Sequence, residues 1–222
     1  MTLQNKSPAV MAQRREPLKS LDDFPTPAWA ARALVQHVLL PMHELRELSC
    51  LEPACGRGHM AMALQEYFGS VTASDVFDYG YGAVRDFLAS GDELPGVDWT
   101  ITNPPFRFAE KFVFKALEVS RIGAAMLTRT VFLESVGRYD RLFKAMPPTV
   151  VAQFSERVPM IKGRVDRKAS TATGYAWLLW MNNVRQPCEL VWIPPCRKLL
   201  ERDTDYVQHP SPPTDHTKGS WV

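Results

Sequence analysis

The spacing of apolar residues changes repeatedly along the chain, which indicates helices and strands in alternation. Residues 27–40 (PAWAARALVQHVLL) carry apolar side chains at helical spacing, after a candidate N-cap at Thr26 and with Pro27 at the first helical position. Residues 48–58 (LSCLEPACGRG) predict a short buried strand and a glycine-rich turn, and residues 59–69 predict a helix that ends at Gly69. This order is the beginning of a βα unit.

The same alternation continues through the rest of the chain. Residues 70–76 predict a strand that ends in an acid, residues 97–106 a strand that ends in Asn-Pro-Pro, and residues 109–120 a helix. Strands are also expected in three later segments, 122–133, 150–158 and 173–181. The first runs into a helical stretch, and the last is expected to be a buried edge or hairpin strand. Strands that alternate with helices predict an α/β fold, with a mostly parallel sheet and helices on both faces.

The length of 222 residues suits one hydrophobic core. We therefore predict a single folded domain over residues 21–202, with flexible polar extensions at 1–20 and 203–222. No apolar run approaches the roughly 20 residues of a membrane span. The first residues also lack the apolar segment of a signal peptide. The sequence thus predicts a cytoplasmic protein without a membrane anchor.

The four cysteines form no metal-binding pattern. Cys50, Cys55, Cys188 and Cys196 contain no C-x-x-C pair and have no nearby histidine at zinc spacing, which argues against a metal site and a disulfide framework. We expect reduced thiols and no bound metal. The formal net charge of +2 is too small to indicate a polyanion partner by itself, because such binding depends on where the charges cluster.

The glycine-rich turn is placed where α/β proteins bind ligands, outside the carboxyl end of the first strand. It contains Gly56 and Gly58, two glycines rather than the three of a dinucleotide fingerprint, and Glu52 at the strand end could hold a cationic group. Asp75 ends the second strand about 20 residues beyond the turn, where an acid can accept hydrogen bonds from a ribose diol. The alternative is that the glycines form only a tight turn and Asp75 caps a helix.

Together these residues resemble the first motifs of class I S-adenosylmethionine-dependent methyltransferases. The resemblance implies a Rossmann-like, seven-stranded fold whose glycine loop wraps the methionine part of the cofactor and whose strand-two acid holds the ribose. Phe24-Pro25-Thr26-Pro27 resembles the F-x-T-P element of amino-methyltransferases in a gamma-type motif order; a plain helix start is the alternative. Asp86-Phe87 is implied to contact the cofactor's adenine, or else is a turn acid beside a core phenylalanine. The implied cofactor-binding residues are Phe24, Thr26, Glu52, Pro53, Ala54, Gly56, Gly58, Asp75, Val76, Asp86, Phe87 and Asn103.

Asn103-Pro104-Pro105-Phe106, at the end of a predicted strand, is the most informative element of the sequence. Consecutive prolines fix φ and lack N–H donors, so this loop presents acceptors. The Asn103 side-chain oxygen and the Pro104 carbonyl could hold an amino group, while Phe106 offers a flat face to a planar base. The motif resembles the N/D-P-P-Y/F signature of N6-adenine methyltransferases, which implies that these four residues are catalytic and that the target base is flipped out of the duplex. A rigid turn leading into a helix is the alternative.

The clearest cluster of positive charge lies in residues 155–170 (SERVPMIKGRVDRKAS). A loop after the late strands would lie on the same rim as the active site, where its cations could neutralise phosphates. A solvated hairpin with ordinary surface charge is the alternative. The candidate substrate-binding residues are Phe106, Arg157, Lys162, Arg164, Arg167 and Lys168.

The main hypothesis is a DNA adenine-N6 methyltransferase that uses S-adenosyl-L-methionine, with residues 21–202 as its catalytic domain. A separable target-recognition domain is not evident, so specificity would come from the basic loop or from a second copy of the chain. The same acceptors could instead take an adenine of RNA or the side-chain amide of a protein glutamine. A catalytically idle methyltransferase-like fold that serves as a binding subunit is a third interpretation.

Overall fold

Eight strands form one sheet in this computed structural model, which describes residues 22–90, 94, 96–184 and 186–206. The strands lie in the order β3-β2-β1-β4-β5-β7-β6-β8. The sheet has one strand more than the seven that the resemblance implied, because β8 extends it beside β6. The bounds are β1 Ser49–Glu52, β2 Ser70–Asp75, β3 Ala83–Val84, β4 Val97–Thr102, β5 Ser120–Arg129, β6 Val150–Phe154, β7 Tyr175–Met181 and β8 Glu189–Ile193.

The strand directions bring the functional loops to one edge of the sheet. β7 is antiparallel to both of its neighbours, β5 and β6. The other strand pairs of the sheet are parallel, so the predicted α/β fold with a mostly parallel sheet is confirmed. The carboxyl ends of the parallel strands and the amino end of β7 therefore share one edge, which we call the carboxyl edge. β7 forms the predicted hairpin with β6 but lies inside the sheet, so its alternative placement as an edge strand is wrong.

Helices cover both faces of the sheet. α1 (Ala28–Leu34, continued by a π-helical turn at Val35–Leu39), α2 (His59–Gln65) and the short α5 (Arg197–Leu200) pack on one face. α3 (Ala109–Val119) packs on the other face. The segment after β5 forms a 3-10 turn (Thr130–Leu133), then α4 (Val136–Arg138) and a π-helical turn (Tyr139–Phe143). Among the described residues, none of the helices has the length and apolar character that crossing a membrane requires.

The start of α1 differs from the predicted one. Thr26 is buried, and Pro27 is the N-cap with an extended ψ of 131°, so that the helix begins at Ala28 without a side-chain cap. The prediction of a helix from Pro27 was right to within one residue, but Thr26 as its N-cap is wrong. The Thr26 side chain is buried in the segment that leads to the site.

β7 shows why its sequence reads as a continuous apolar block. Trp177 and Leu179 point to the core under α1 and α2, whereas Leu178 and Trp180 point to the core under α3. A strand buried on both faces needs apolar side chains at successive positions. The Trp177 indole also donates to the Ala30 carbonyl of α1 at 3.1 Å, which satisfies its buried N–H.

A buried ion cluster fixes the end of the described chain to the first helix. Arg32 of α1 donates to Glu66 (2.8 Å) and to both carboxylate oxygens of Asp205 (2.7 and 2.8 Å). Burial lowers the pKa of Arg32, but its bonds to Asp205 and Glu66 outweigh this and raise the pKa above the usual value. Arg202, which is more exposed, also bonds Glu66 at 2.8 Å.

The ion cluster bears on the predicted tail. Asp205 belongs to a 3-10 turn at Asp203–Tyr206, four residues that were assigned to the C-terminal extension 203–222. Three of the four bond to residues of the predicted domain: Asp203 to Arg167, Asp205 to Arg32 and Tyr206 to Glu201. Residues 207–222 of that extension, like the extension 1–20, lie outside the described residues.

Candidate active site

The glycine loop is held against the second strand by Asp75. The loop follows β1 directly, and Gly56 and Gly58 adopt positive φ angles of 50° and 83°. One carboxylate oxygen of Asp75 accepts the Gly56 N–H at 2.9 Å, and the other accepts the Phe77 N–H at 3.1 Å. Because a carboxylate has about four acceptor positions, Asp75 can still accept bonds from a ligand. The structure thus brings the two predicted cofactor elements into contact, and Asp75 orders the loop rather than capping a helix.

Glu52 is a buried acid with an unused acceptor. It ends β1, is 2% exposed, and lies in a place where burial raises the pKa of its carboxyl well above the usual value, with the nearby Asp75 adding to the shift. Its Oε2 atom has no hydrogen-bond partner among the described residues. Burying an acceptor without a partner is costly. A cationic group beside Glu52 would remove this cost, which is the chemistry that a ligand with an ammonium group supplies.

The two loop glycines serve different purposes. A Cβ atom on Gly58 would lie 2.5 Å from the ring of Tyr81, so this glycine allows Tyr81 to pack directly on the loop. Around Gly56 there is open space within 4 Å of the position a Cβ would take, so its backbone can be approached closely by a ligand. Gly56, Glu52 and Asp75 together fit a small ligand that has a cationic end and a diol.

Asn103 is fixed with its oxygen unused. It follows the last residue of β4, and its Nδ2 donates to the Phe24 carbonyl at 3.0 Å and contacts Met160 Sδ at 3.7 Å. Only the amide nitrogen can donate to a carbonyl, so this bond sets which end of the amide is which. The buried Oδ1 has no hydrogen-bond partner among the described residues. The loop therefore presents one oriented acceptor at the carboxyl edge, and its role toward an amino group stays a prediction.

Phe106 lies at the centre of an aromatic and cationic stack. Its backbone N–H donates to Asp22 at 2.7 Å. The Phe24 ring packs against its ring at a centroid distance of 5.8 Å and a tilt of 39°. The guanidinium carbon of Arg129 lies 3.8 Å from the Phe106 ring centroid. The Phe24 segment and the Asn-Pro-Pro-Phe loop, which the sequence analysis took as separate motifs, are thus in direct contact.

The remaining loop residues divide into two groups. Pro105 accepts the Phe108 N–H at 2.9 Å and so forms the turn before α3, with the buried Pro104 preceding it. Pro53 and Ala54 lie at the start of the glycine loop, and Val76, 46% exposed, follows Asp75. Their contacts with a cofactor, and the Pro104 carbonyl as second acceptor, stay predictions.

Asp86 and Phe87 occupy the positions that the alternative reading gave them. Asp86 is exposed and accepts the Leu88 N–H at 2.8 Å, as a turn acid does. Phe87 is buried in the core under α3, 5.0 Å from the ring of Phe112. A contact of either residue with an adenine ring stays a prediction.

The basic segment is split by its contacts. Arg157 lies at the carboxyl edge, where its guanidinium would be 3.0 Å from a Cβ on Gly174. Arg164 pairs with Asp166 at 3.5 Å, and Arg167 bonds Asp203 at 2.7 Å. The exposed members are Arg157, Lys162, Arg164, Arg167 and Lys168. The charge of Arg164 and Arg167 is thus partly neutralised by protein carboxylates, and a substrate role for the segment stays a prediction.

Several contacts of the site were not anticipated from the sequence. Asp23 pairs with Arg57 of the glycine loop at 2.8 Å, and its carbonyl accepts the Gly163 N–H at 2.9 Å. Asp22 holds the Phe106 backbone, and Arg129 covers the Phe106 ring. The pair of acids directly before Phe24 was a signal that could have been used.

Strand order, the antiparallel β7 and the Asp75-bound glycine loop together decide the fold. The chain has the class I methyltransferase fold. It is similar to the methyltransferase subunit of a type I restriction-modification system from Streptococcus thermophilus, with a TM-score of 0.58, 11% identity, and coverage of 77% of this chain and 47% of that one. The chain thus spans about half the length of that subunit. Neither a protein-family model nor a curated protein sequence matches the chain.

Two further solved structures share the fold. A proposed RNA methyltransferase from Pyrococcus horikoshii has a TM-score of 0.56 and 17% identity, over 82% of this chain and 99% of that one. A proposed class I S-adenosylmethionine-dependent methyltransferase from Listeria monocytogenes has a TM-score of 0.53 and 14% identity, over 79% and 67%. The part of this chain that the structure describes contains no group of three or more His, Cys, Asp or Glu side chains placed to hold a metal ion.

Proposed function

We propose that the protein is an S-adenosyl-L-methionine-dependent methyltransferase that methylates N6 of adenine in DNA. The observation that carries the proposal is the buried Asn103 Oδ1, an oriented acceptor without a described partner that lies in the loop before Phe106. An exocyclic amino group next to a flat aromatic ring is the chemistry that complements this pair.

The residues of the glycine loop fit S-adenosylmethionine. The unused Glu52 oxygen suits its ammonium group, Asp75 suits its ribose diol, and the open space at Gly56 suits close approach of its chain. The cofactor, when bound, supplies an electrophilic methyl group on a sulfonium. Asp75→Ala should weaken its binding about ten-fold or more, because two hydrogen bonds to a carboxylate are lost. Equal titration curves for wild type and variant would contradict the ribose assignment.

The catalytic role of the Asn-Pro-Pro-Phe loop is to orient the nucleophile. Asn103 Oδ1 and the Pro104 carbonyl would accept hydrogen bonds from the two N–H groups of the target amino group and direct its lone pair toward the methyl group. As the N–C bond formed, the S–C bond of the sulfonium would break, S-adenosylhomocysteine would leave, and the surplus proton of the amino group would pass to solvent on product release. Phe106 stacks on the base and holds its plane. Alignment in a site that excludes water supplies much of the acceleration in such a transfer, and a separate strong base is not needed.

A DNA substrate is favoured by the exposed cations beside the site. Arg157, Lys162 and Lys168 are exposed on the segment that leaves and re-enters the sheet at the carboxyl edge. Such side chains neutralise phosphates and fix the position of a strand from which a base is extruded. The similar subunit from Streptococcus thermophilus belongs to a restriction-modification system. Specificity would come from this segment or from a second copy of the chain, and a cytoplasmic location stays a prediction.

The test is transfer of radiolabelled methyl from S-adenosylmethionine to unmethylated genomic DNA, total RNA and protein extract in parallel, followed by analysis of the labelled nucleoside or amino acid. Label in N6-methyladenine from DNA is expected. Label only in RNA or in protein glutamine would keep the assignments of the cofactor and of Asn103 and would overturn the DNA substrate. Cofactor binding without transfer to any of the three would indicate an idle binding subunit.

A further inference from the structure

Arg129 occupies the stacking surface that the proposed function assigns to the target base. It is the last residue of β5 and lies at the carboxyl edge opposite Tyr175 of β7. Its guanidinium carbon is 3.8 Å from the Phe106 ring centroid. This distance lies well within the roughly 6 Å limit of a cation–π contact. Among the described residues, no acidic side chain forms an ion pair with Arg129.

The two neighbours of the Phe106 ring differ in their freedom to move. Phe24 is 6% exposed, belongs to the core, and its carbonyl is bonded to Asn103. Arg129 is half-buried, and its flexible side chain ends in a guanidinium that contacts the Phe106 ring. A planar base that stacks on Phe106 must therefore displace the Arg129 head rather than Phe24.

We propose that Arg129 is a substrate-positioning residue. In the free protein its guanidinium covers the Phe106 ring; when the target base stacks on that ring, the guanidinium moves aside and binds a phosphate of the substrate. This inference rests on the proposed function. A guanidinium and a nucleobase are both planar and both stack on aromatic rings, so the Arg129 guanidinium can occupy the face of Phe106 that the base would use. It keeps the Phe106 ring covered until a base arrives.

The displaced guanidinium has a nearby place at the mouth of the site. Thr130 follows Arg129 in sequence, and its backbone N–H donates to the Gly174 carbonyl at 3.0 Å. The Arg157 guanidinium lies against the same Gly174, within 3.0 Å of the position a Cβ would take there. Arg129 and Arg157 thus flank one strip of the carboxyl edge. A guanidinium group binds a phosphate through paired N–H donors, so a phosphate at this strip could be bound from both sides.

The first arm of the test measures methylation of genomic DNA by Arg129→Ala, Arg129→Lys and the wild-type protein, over a range of salt concentrations. Arg129→Ala should raise KM for DNA about five-fold or more, with kcat within about two-fold, and should lower the slope of log KM against log salt by about one, because one phosphate contact is lost. Arg129→Lys keeps the charge and should keep the slope. Arg46→Ala, an exposed arginine before β1 at the opposite edge, is the matched control and should change neither quantity.

The second arm uses a probe without phosphate. Binding of 2′-deoxyadenosine is titrated by NMR in the presence of saturating S-adenosylhomocysteine, which fills the cofactor site. Since Arg129 competes for the Phe106 face, Arg129→Ala should bind the nucleoside about three- to ten-fold more tightly than the wild type, the opposite of its effect on DNA. A merely structural role would weaken both.

The outcomes separate the two proposals. A wild-type protein that leaves DNA unmethylated overturns the proposed function, and the role of Arg129 with it. Wild-type methylation of DNA, together with an Arg129→Ala variant that matches Arg46→Ala in KM, salt slope and nucleoside affinity, overturns the role of Arg129 alone.

Discussion

Two regions of the molecule bury polar groups, and they differ in how those groups are satisfied. In the ion cluster between α1, α2 and the C-terminal turn, Arg32 donates to Glu66, Asp205 and the Leu200 carbonyl. In the site at the carboxyl edge, Glu52 and Asn103 each leave a buried oxygen without a described partner. Within the described residues, the Arg32 guanidinium has hydrogen-bond partners for all of its nitrogens, whereas Glu52 and Asn103 each keep an acceptor without a partner.

The difference separates groups that stabilise the fold from groups that await a ligand. A buried charge with complete partners is costly to disrupt, because its removal strands the groups that remain. A buried acceptor without a partner is instead a cost to the folded state, and at a binding site a ligand can supply the missing donor. Substitutions in the two regions should therefore change different quantities: stability in the first, and binding or turnover in the second.

The largest effect is expected for Asn103→Ala. Loss of the oriented acceptor should lower kcat on the order of 1000-fold, with cofactor affinity unchanged. The free energy of unfolding should change by about 1 kcal/mol or less, since the lost bond to Phe24 is offset by removal of an unsatisfied oxygen. Single-turnover methylation, cofactor titration and denaturant unfolding measure the three quantities. Unchanged methylation would remove Asn103 from the catalytic role.

A large effect on stability is expected for Arg32→Ala. It strands the buried Asp205 and should reduce the free energy of unfolding by about 3 kcal/mol. Arg202→Ala is the matched control, because it breaks a bond to the same Glu66 from an exposed position: the side chains of Arg32 and Arg202 are 4% and 55% exposed. The control should cost less than about 1 kcal/mol. Equal urea midpoints for the two variants would show that burial of this cluster does not govern its strength.

A smaller effect is expected for Glu52→Gln. The neutral amide keeps the size of the side chain and loses its charge, so cofactor affinity should fall about ten-fold. The free energy of unfolding should stay within about 1 kcal/mol of the wild type, unlike that of Arg32→Ala. Isothermal titration measures the affinity, and urea unfolding measures the stability. A loss of stability without a loss of affinity would show that Glu52 stabilises the fold, as Arg32 does, rather than binding the cofactor.

The smallest effect is a pH dependence. Burial and Asp75 raise the pKa of Glu52 above its usual value, and a cationic ligand binds the ionised form. Cofactor affinity should therefore fall as pH decreases through this raised pKa, beginning at a higher pH than an ordinary glutamate would give. Glu52→Gln should abolish this dependence, whereas Glu44→Gln, at an exposed position, should keep it.

The same shift has a consequence for folding in the absence of ligand. The folded pKa lies above the unfolded one, so the folded state binds the proton more tightly, and Glu52 reduces stability as pH rises from the ordinary value through the raised one. The stability of the wild type relative to Glu52→Gln should decline over that window. A difference that grows with pH would contradict the direction of the shift.

The sequence predicted those parts of the fold that have local signals. Alternating apolar segments marked β1, β2, β4 to β7 and the principal helices, and the glycine turn contacts Asp75 through the Gly56 N–H. It missed β8, because Leu190 and Trp192 of that strand are exposed while Ile193 is buried, so the segment resembles neither a buried strand nor a regular amphipathic one.

What the sequence could not predict are contacts between distant segments. Phe106 and Asp22 are 84 residues apart, and Asn103 and Met160 are 57 residues apart. No periodicity encodes such pairs. Likewise, the charge of Arg167 looked available for a polyanion, but Asp203 on a segment predicted to be a tail neutralises part of it. Position along the chain does not reveal these partners; only the folded arrangement does.

The connection from β6 to β7 begins and ends at the carboxyl edge, because the two strands form an antiparallel pair. Its first part is anchored by Met160 at Asn103 and by Gly163 at Asp23. The register of the strands is set elsewhere, through pairs such as Val150 with Leu179. Under the proposed function, substrate selection by this connection would fall to residues 164–173, because both of these anchoring contacts lie before them and leave the positions of Asn103 and Asp23 independent of their side chains.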